Sequence, residues 1–342
     1  MSDRDWTAYS RSTYAWKPGH QKHLRVTKSS LTSDFDFCPK QYEYKRVHGL
    51  PTPETDAMRK GTNVHNAVEY YFNNVYPYLD DLLTLMQRDK RDEALALALS
   101  ILPEETYELG EEKSIETRLK WDLERLLAGG KDDYLPIINE AEVHAFTEEE
   151  FEFNGEVLTI PIHWAGSIDR AFATENGVAL MELKTGKWLQ TAKTDTTGTV
   201  TWEDQSFKVD SMRIEMAFYK HLLKVADHEH QNVTHWGWVY PSGEVEGLDA
   251  YNKYGLEQRS VNRIFYEPIN ANKEGQKQSV SRYAEGRVQR LKEALITAYL
   301  TDDFPPKPSQ GKCAWCDFKS ICPSWEGSDD PKEYIAKMQE EE

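Results

Sequence analysis

The stretch GSIDRAFATENGVALMELK, residues Gly166 to Lys184, decides the fold. Its two arms carry strand-like patterns on either side of a turn at Thr174 to Gly177, so they predict an antiparallel hairpin. The second arm, Val178 to Lys184, is an apolar run that acquires charge only near its end. Residues two apart in a strand share a face, so Glu182 and Lys184 point one way and Met181 and Leu183 the other. Asp169 lies near the end of the first arm, and a hairpin of this size brings it alongside Glu182 and Lys184. Two carboxylates supply hard oxygen ligands to Mg2+ or Mn2+. A neighbouring ammonium can orient an attacking water or stabilise charge developing on phosphorus. Taken alone, the D-x12-E-x-K spacing equally describes a hairpin ending in a surface salt bridge.

Working outward, Glu140 to Phe153 and Leu158 to Phe172 alternate like further strands. Upstream, GTNVHNAVEYYF repeats apolar side chains at Val64, Val68 and Tyr71, which predicts a helix with His65 and Glu69 on a neighbouring stripe. From about Tyr78 to Leu127 the pattern is helical again, in an Ala/Leu piece (Glu93 to Leu102) and an Arg/Leu piece (Ile115 to Leu127), ended by Gly129 and Gly130. Downstream, RIEMAFYKHLL places Glu215 and Tyr219 four residues apart on one helical face. The segment Ser29 to Arg46 opens with a capping hydroxyl and spaces its aromatics helically, predicting a short helix that holds Cys38. Phe35, Phe37, Tyr42, Tyr44 and Trp315 are suited to core packing or to stacking on unpaired bases.

The four cysteines divide as Cys38 near one end and the compact Cys313-x2-Cys316-x5-Cys322 near the other. Four thiolates can hold a tetrahedral zinc or a [4Fe-4S] cluster, and the spacing alone favours zinc. With 39% hydrophobic residues the chain can bury a sizeable core. No apolar run reaches the roughly 18 residues that span a bilayer, and the N-terminus has no signal-like apolar stretch, so a cytoplasmic location is expected. A net charge of −17 repels phosphate at long range. The acid, however, is concentrated between Glu104 and Glu150 and after Trp325, whereas Lys17 to Arg46 is net basic.

In order, the chain reads G-x3-H-x3-E on a helix, G-x2-D, E-x-K at a strand end, then E-x3-Y on a helix. This series resembles that of RecB-like nucleases of the PD-(D/E)XK superfamily, over residues of about 30 to 325. The resemblance implies an α/β core with a mixed sheet flanked by helices, and a Mg2+- or Mn2+-dependent DNA nuclease. By motif position His65, Asp169 and Glu182 bind the metal, Lys184 assists the chemistry, and Glu215 and Tyr219 complete the catalytic set. Two departures stand out. Ile168 replaces the proline of the superfamily name, and Glu215 replaces a neutral glutamine, so that it could add a metal ligand or repel phosphate. Cys322-Pro323, the preceding Phe304-Pro305-Pro306 and the early Cys38-Pro39 are similar to the iron-sulfur subset of these nucleases. That subset includes CRISPR-associated exonucleases and AddB-type domains, and it implies a [4Fe-4S] cluster on Cys38, Cys313, Cys316 and Cys322.

The expected organisation is a basic arm (1–28), a nuclease domain (29–325) and an acidic tail (326–342). The domain carries a helical insertion at about 78–130 and a cluster segment at 304–325. The insertion and the Thr-rich segment Lys187 to Asp210 lie outside the resemblance. The expected role is an exonuclease on DNA ends, preferentially single-stranded, in repair, recombination or spacer capture, with a recombination or CRISPR-adaptation protein as its partner. The competing role is a scaffold that binds DNA and cleaves poorly.

Overall fold

The computed structural model describes residues 16–17, 22–103, 112–240, 250–251, 257–261 and 263–325. The acidic tail and most of the basic arm fall outside the described residues. Strands β2 (Ile138–Phe153) and β3 (Glu156–Thr174) form one long antiparallel hairpin. Its turn is Asn154-Gly155, both at positive φ (53° and 82°), the conformation that matches the twist of the flanking strands. The Gly166–Lys184 hairpin pairs β3 with β4 (Gly177–Leu183) in the register Arg170 to Met181, which sets Asp169 level with Glu182. Asp169 lies within β3, not at its end, because that strand continues to Thr174.

A six-stranded mixed sheet results, with β7 (Val233–Tyr240) parallel to β4 and β10 (Arg263–Pro268) antiparallel to β7. The remaining member, β1 (Leu24–Thr27), runs parallel to β3 and was expected to lie in the basic arm. Strand β2 occupies one edge of β3 from Glu156 to Ala171. Both β1 and β4 must therefore share the other edge: β1 pairs with 162–165 and β4 with 170–174. They approach from opposite directions, and their carboxyl ends meet at an unpaired gap beside Gly166 to Asp169. The carboxyl ends of strands at such a change of partner are where open α/β sheets place their ligands.

Alternation along the strands gives the sheet two buried faces. Leu180, Trp164 and Trp236 pack under α6 (Ser206–Val225) and α7 (Val280–Thr301). Leu183, on the opposite face, joins Val64, Val68 and Tyr71 of α2 (Asp56–Asn74) and the insertion helices α3 (Leu79–Gln87), α4 (Arg91–Leu99) and α5 (Glu112–Gly129). Thr55 caps α2 by accepting from the Met58 amide at 3.2 Å. The Thr-rich segment supplies β5 (Trp188–Thr194) and β6 (Val200–Asp204), which with β8 (Ala250–Tyr251) and β9 (Glu257–Val261) build a second, four-stranded sheet.

The expected single helix over Ser29 to Arg46 is instead broken. Ser29–Phe35 and Glu43–Val47 are wide π-type turns flanking α1 (Pro39–Tyr42), and Cys38 is extended (φ −162°). Pro39 is the reason, because its ring disfavours helical backbone in the residue before it. Phe35, Tyr42 and Tyr44 are buried, so these aromatics pack the core and are closed to bases; Trp315 is exposed. Among the described residues no helix is long and apolar enough to cross a membrane.

The insertion is tied to the sheet by charge as well as by apolar contact. Buried Asp122 on α5 accepts from Arg118 Nε at 2.9 Å and lies 3.6 Å from Arg170 Nη1. Burial opposes ionisation of Asp122, but Arg118, Arg170 and Arg125 outweigh it and hold the carboxyl below its usual range. Burial pushes Arg170 down to about 10. The stabilisation from Asp122 is thus present at neutral pH and lost as pH falls through its depressed folded value. Removing one member of a buried ionic group strands the others. Asp122→Ala is expected to cost about 3–5 kcal/mol in urea unfolding; an unchanged midpoint would mean that this cluster does not anchor the insertion.

Candidate active site

The unpaired gap on β3 gathers side chains from five elements. Asp169 accepts from the Leu183 amide at 2.7 Å, which ties the carboxylate to the end of β4. Three residues before it, Gly166 faces α6: a Cβ there would sit 3.3 Å from Leu222 and 3.4 Å from Tyr219. The glycine therefore lets the helix carrying Glu215 and Tyr219 lie against the gap. Lys184 is anchored through its amide to Val239 O at 3.0 Å, extending the β4–β7 ladder by one residue.

His65 reaches the same place from α2. One ring nitrogen, Nδ1, lies 2.8 Å from Glu140 Oε1 and 3.9 Å from Asp169 Oδ2, and the other faces Leu183 O at 3.2 Å. Burial disfavours the charged ring, but the bond to Glu140 and the charge of Asp169 prevail and raise its pKa. His65, Glu140 and Asp169 offer ligand atoms all within 4.8 Å of one another, a set that could hold a divalent cation.

Glu140 is absent from the sequence reading. The ladder keeps one register from Asn139–Arg170 to Ala141–Ile168, so Glu140 stands directly opposite Asp169, with φ at +47°. Its left-handed backbone interrupts the extended strand at that one position, and its carboxylate meets His65. The only signal in the sequence was one acid at the strand start, indistinguishable from its neighbours.

Glu182 is placed differently from the other two predicted ligands. It is buried and ion-paired to both Lys28 and Lys184, the latter at 2.9 Å. Glu215 pairs with the same two lysines, at 2.8 Å from Lys184 and 3.8 Å from Lys28. Lys28 also lies 5.0 Å over the Tyr219 ring, within cation–π range. Burial disfavours the charge on Glu182, yet Lys28 and Lys184 hold its carboxyl down at about 2. Burial and then the charge of Glu182 push Asp169 the other way, up to about 7. Among the described residues Glu182 Oε2 is buried with no hydrogen-bond partner. A buried carboxylate oxygen without a donor, beside a second carboxylate resisting ionisation, fits a site built for a cation.

The chain matches the family model of the PD-(D/E)XK nuclease superfamily over residues 29–323. It belongs to that superfamily. Membership implies a nuclease, a phosphodiester hydrolase acting on nucleic acid. The matched range includes Asp169 and the Glu182-Leu183-Lys184 strand end, the residues expected from the sequence to be the family motif. A solved structure described as the crystal structure of SSO0001 is 16% identical, covers 72% of this chain and 85% of its own, and superposes with a TM-score of 0.26. No curated protein matches the chain.

The four cysteines lie in a separate place. Cys38, Cys313, Cys316 and Cys322 line one small cavity and none is disulfide-bonded. Their segments meet through Tyr44 on Phe318, Tyr42 on Phe304, and Lys312 Nζ donating to Phe37 O at 3.0 Å.

The two-lysine, two-glutamate group gives a stability test. Lys28→Met leaves two adjacent carboxylates with one ammonium and should cost about 1–3 kcal/mol in denaturant unfolding. Adding Glu215→Gln restores the balance and should recover part of that loss. Additive effects of the two changes would show that Lys28 and Glu215 are not coupled.

Proposed function

We propose that the chain is a Mg2+- or Mn2+-dependent deoxyribonuclease that processes DNA ends, preferentially single-stranded, in repair, recombination or CRISPR-type spacer capture. The observation that carries this reading is the convergence of His65, Glu140 and Asp169 on the gap where the Glu182–Lys184 strand end arrives. His65, Glu140 and Asp169 would hold the cation, with the free oxygen of Glu182 beside them. When bound, the metal supplies Lewis-acid charge at phosphorus and acidifies water.

The protein's own groups perform the remaining tasks. Lys184 presents an ammonium whose position is set by Glu182 and Glu215, ready to orient water or to stabilise negative charge on phosphorus. Glu215, standing where the family has glutamine, acts as an ion-pair partner outside the histidine–carboxylate set. Its negative charge is matched by a second lysine, Lys28. Tyr219 lies under Lys28 and supports it.

Labelled single-stranded DNA incubated with Mn2+ or with EDTA tests the assignment. Asp169→Ala and Glu182→Ala should abolish metal-dependent cleavage with the fold intact, and Lys184→Ala should slow it about 10²–10³-fold. Wild-type turnover by Asp169→Ala would sink it. A wild-type chain that binds DNA in Mn2+ without cutting would instead be the scaffold alternative.

We also propose that Cys38, Cys313, Cys316 and Cys322 hold a [4Fe-4S] cluster that clasps the chain ends, with structural zinc as the alternative. The support is four free thiols on one cavity, with the Lys307 amide donating to Cys38 Sγ at 3.3 Å. Burial pushes the Cys316 thiol up to about 11. Anaerobically purified protein should be brown and contain iron; colourless protein with one zinc would favour the alternative. Cys38→Ala and Cys322→Ala should lose the metal alike and become easier to proteolyse. Full iron retention by Cys38→Ala alone would break the four-cysteine set.

A further inference from the structure

We propose that the exposed face of β1, β2 and β3 is the track along which a single strand of DNA leaves the catalytic gap; this deepens the nuclease reading and rests on it for the direction of travel. Three observations carry it. The first is continuity. A cleft of about 450 Å3 is lined by Arg25, Thr27, Ser29, Lys45, Arg46 and Ser167. Thr27 and Ser29 of its wall flank Lys28 of the active site in the chain, and Ser167 of its floor lies two residues from Asp169, on the same face of β3. The volume is in the range of small-ligand pockets, with room for a segment of one strand and not for a duplex.

The second observation is the row of planar side chains at the far end. Sheet register sets Arg25 on β1 against His163 on β3, and His163 against Phe146 on β2. The Phe146 and His163 rings are parallel within 10° at 4.4 Å, His23 adds its edge to Phe146 at 5.0 Å, and His144 stacks on His163 at 5.2 Å. Phe146 is 63% exposed on β2, which pairs with β3 alone. Aromatic rings laid across adjacent strands stack unpaired bases without regard to sequence.

The third is charge. Lys45 and Arg46 are both held at the cleft by buried Asp34, at 3.3 and 2.7 Å, and with Arg25 these three cations exceed the two carboxylates there, Asp34 and Glu142. Past Phe146 the same face of β2 presents exposed Glu148, Glu150 and Glu152. A polyanion is thereby turned across the sheet toward Arg25 instead of along the hairpin. In a chain of net charge −17, this confines the strand to the cleft and the ring row.

Anisotropy of labelled oligo(dT) in EDTA tests the track apart from cleavage. Phe146→Ala combined with His163→Ala should weaken binding roughly 10- to 100-fold. Phe146→Trp, which keeps a stacking face, should bind at least as tightly as wild type. Hydrolysis of thymidine 5′-p-nitrophenyl phosphate, which reaches only the gap, should be unchanged in all of these variants. Wild-type-like oligo(dT) binding by a folded double variant would overturn the track, as would a wild-type chain without affinity for oligo(dT). A wild-type chain that binds oligo(dT), loses it in the double variant and yet cleaves nothing would support the track while removing the nuclease reading.

Discussion

Strand β3 has to serve two partners along one edge, and most of what is distinctive in this chain follows from that. Because β2 fills the opposite edge, β1 and β4 must share what remains, one parallel to β3 and one antiparallel. Their carboxyl ends then face each other across Gly166 to Asp169, and backbone donors and acceptors there are left for other groups to use. Asp169 takes the Leu183 amide, and Lys28, the first residue beyond β1, bridges to Glu182 at the end of β4. The ion pair thus closes a break that hydrogen bonds cannot span, and it sets a lysine and two carboxylates in the low-dielectric cleft where their charges act most strongly.

The two helical layers hold this break in shape from opposite sides. The α6 helix comes close because Gly166 has no side chain, and it brings Glu215 to Lys184 and Lys28. The insertion helices pack on Leu183 and grip Arg170, the residue after Asp169, through Asp122. Asp169 is therefore flanked by a residue held in one layer and faced by a glutamate held by the other. His65 and Glu140 complete the group only because α2 lies over the point where β2 passes opposite Asp169. The insertion, outside the resemblance to RecB-like nucleases, is thus part of what supports the site.

The chain ends meet on a third, smaller cluster of Tyr44, Leu50, Phe318 and Ile321, with Cys316 and Cys322 at its border. Arg287 and Lys307 both approach Asp36, and Lys312 donates to Phe37 O, so contacts other than the cysteines also draw the ends together. The segment so anchored leads directly back to Ser29 and Lys28. The packing of Tyr44 and Leu50 on Phe318 and Ile321 is in this way connected to the active site through a short, continuous length of chain.

Local chemistry in the sequence determined the elements and much of the site. Period-two alternation set Glu182 beside Lys184, the length of the turn set Asp169 level with Glu182, and helical spacing put His65 on the flank of a buried stripe. The broken helix at Cys38 was also legible in principle, since Pro39 alone accounts for it. Glu140 and Lys28 were not legible. The first depends on a single left-handed residue where β2 passes Asp169, and the second on two strands meeting end to end across more than a hundred residues. Neither leaves a periodic trace in its own neighbourhood. The same holds for Glu215: the sequence shows an acid where the family has an amide, and only packing shows that Lys28 answers it. Periodicity reports which side chains share a face, whereas the balance of buried charge is settled by which faces are brought together.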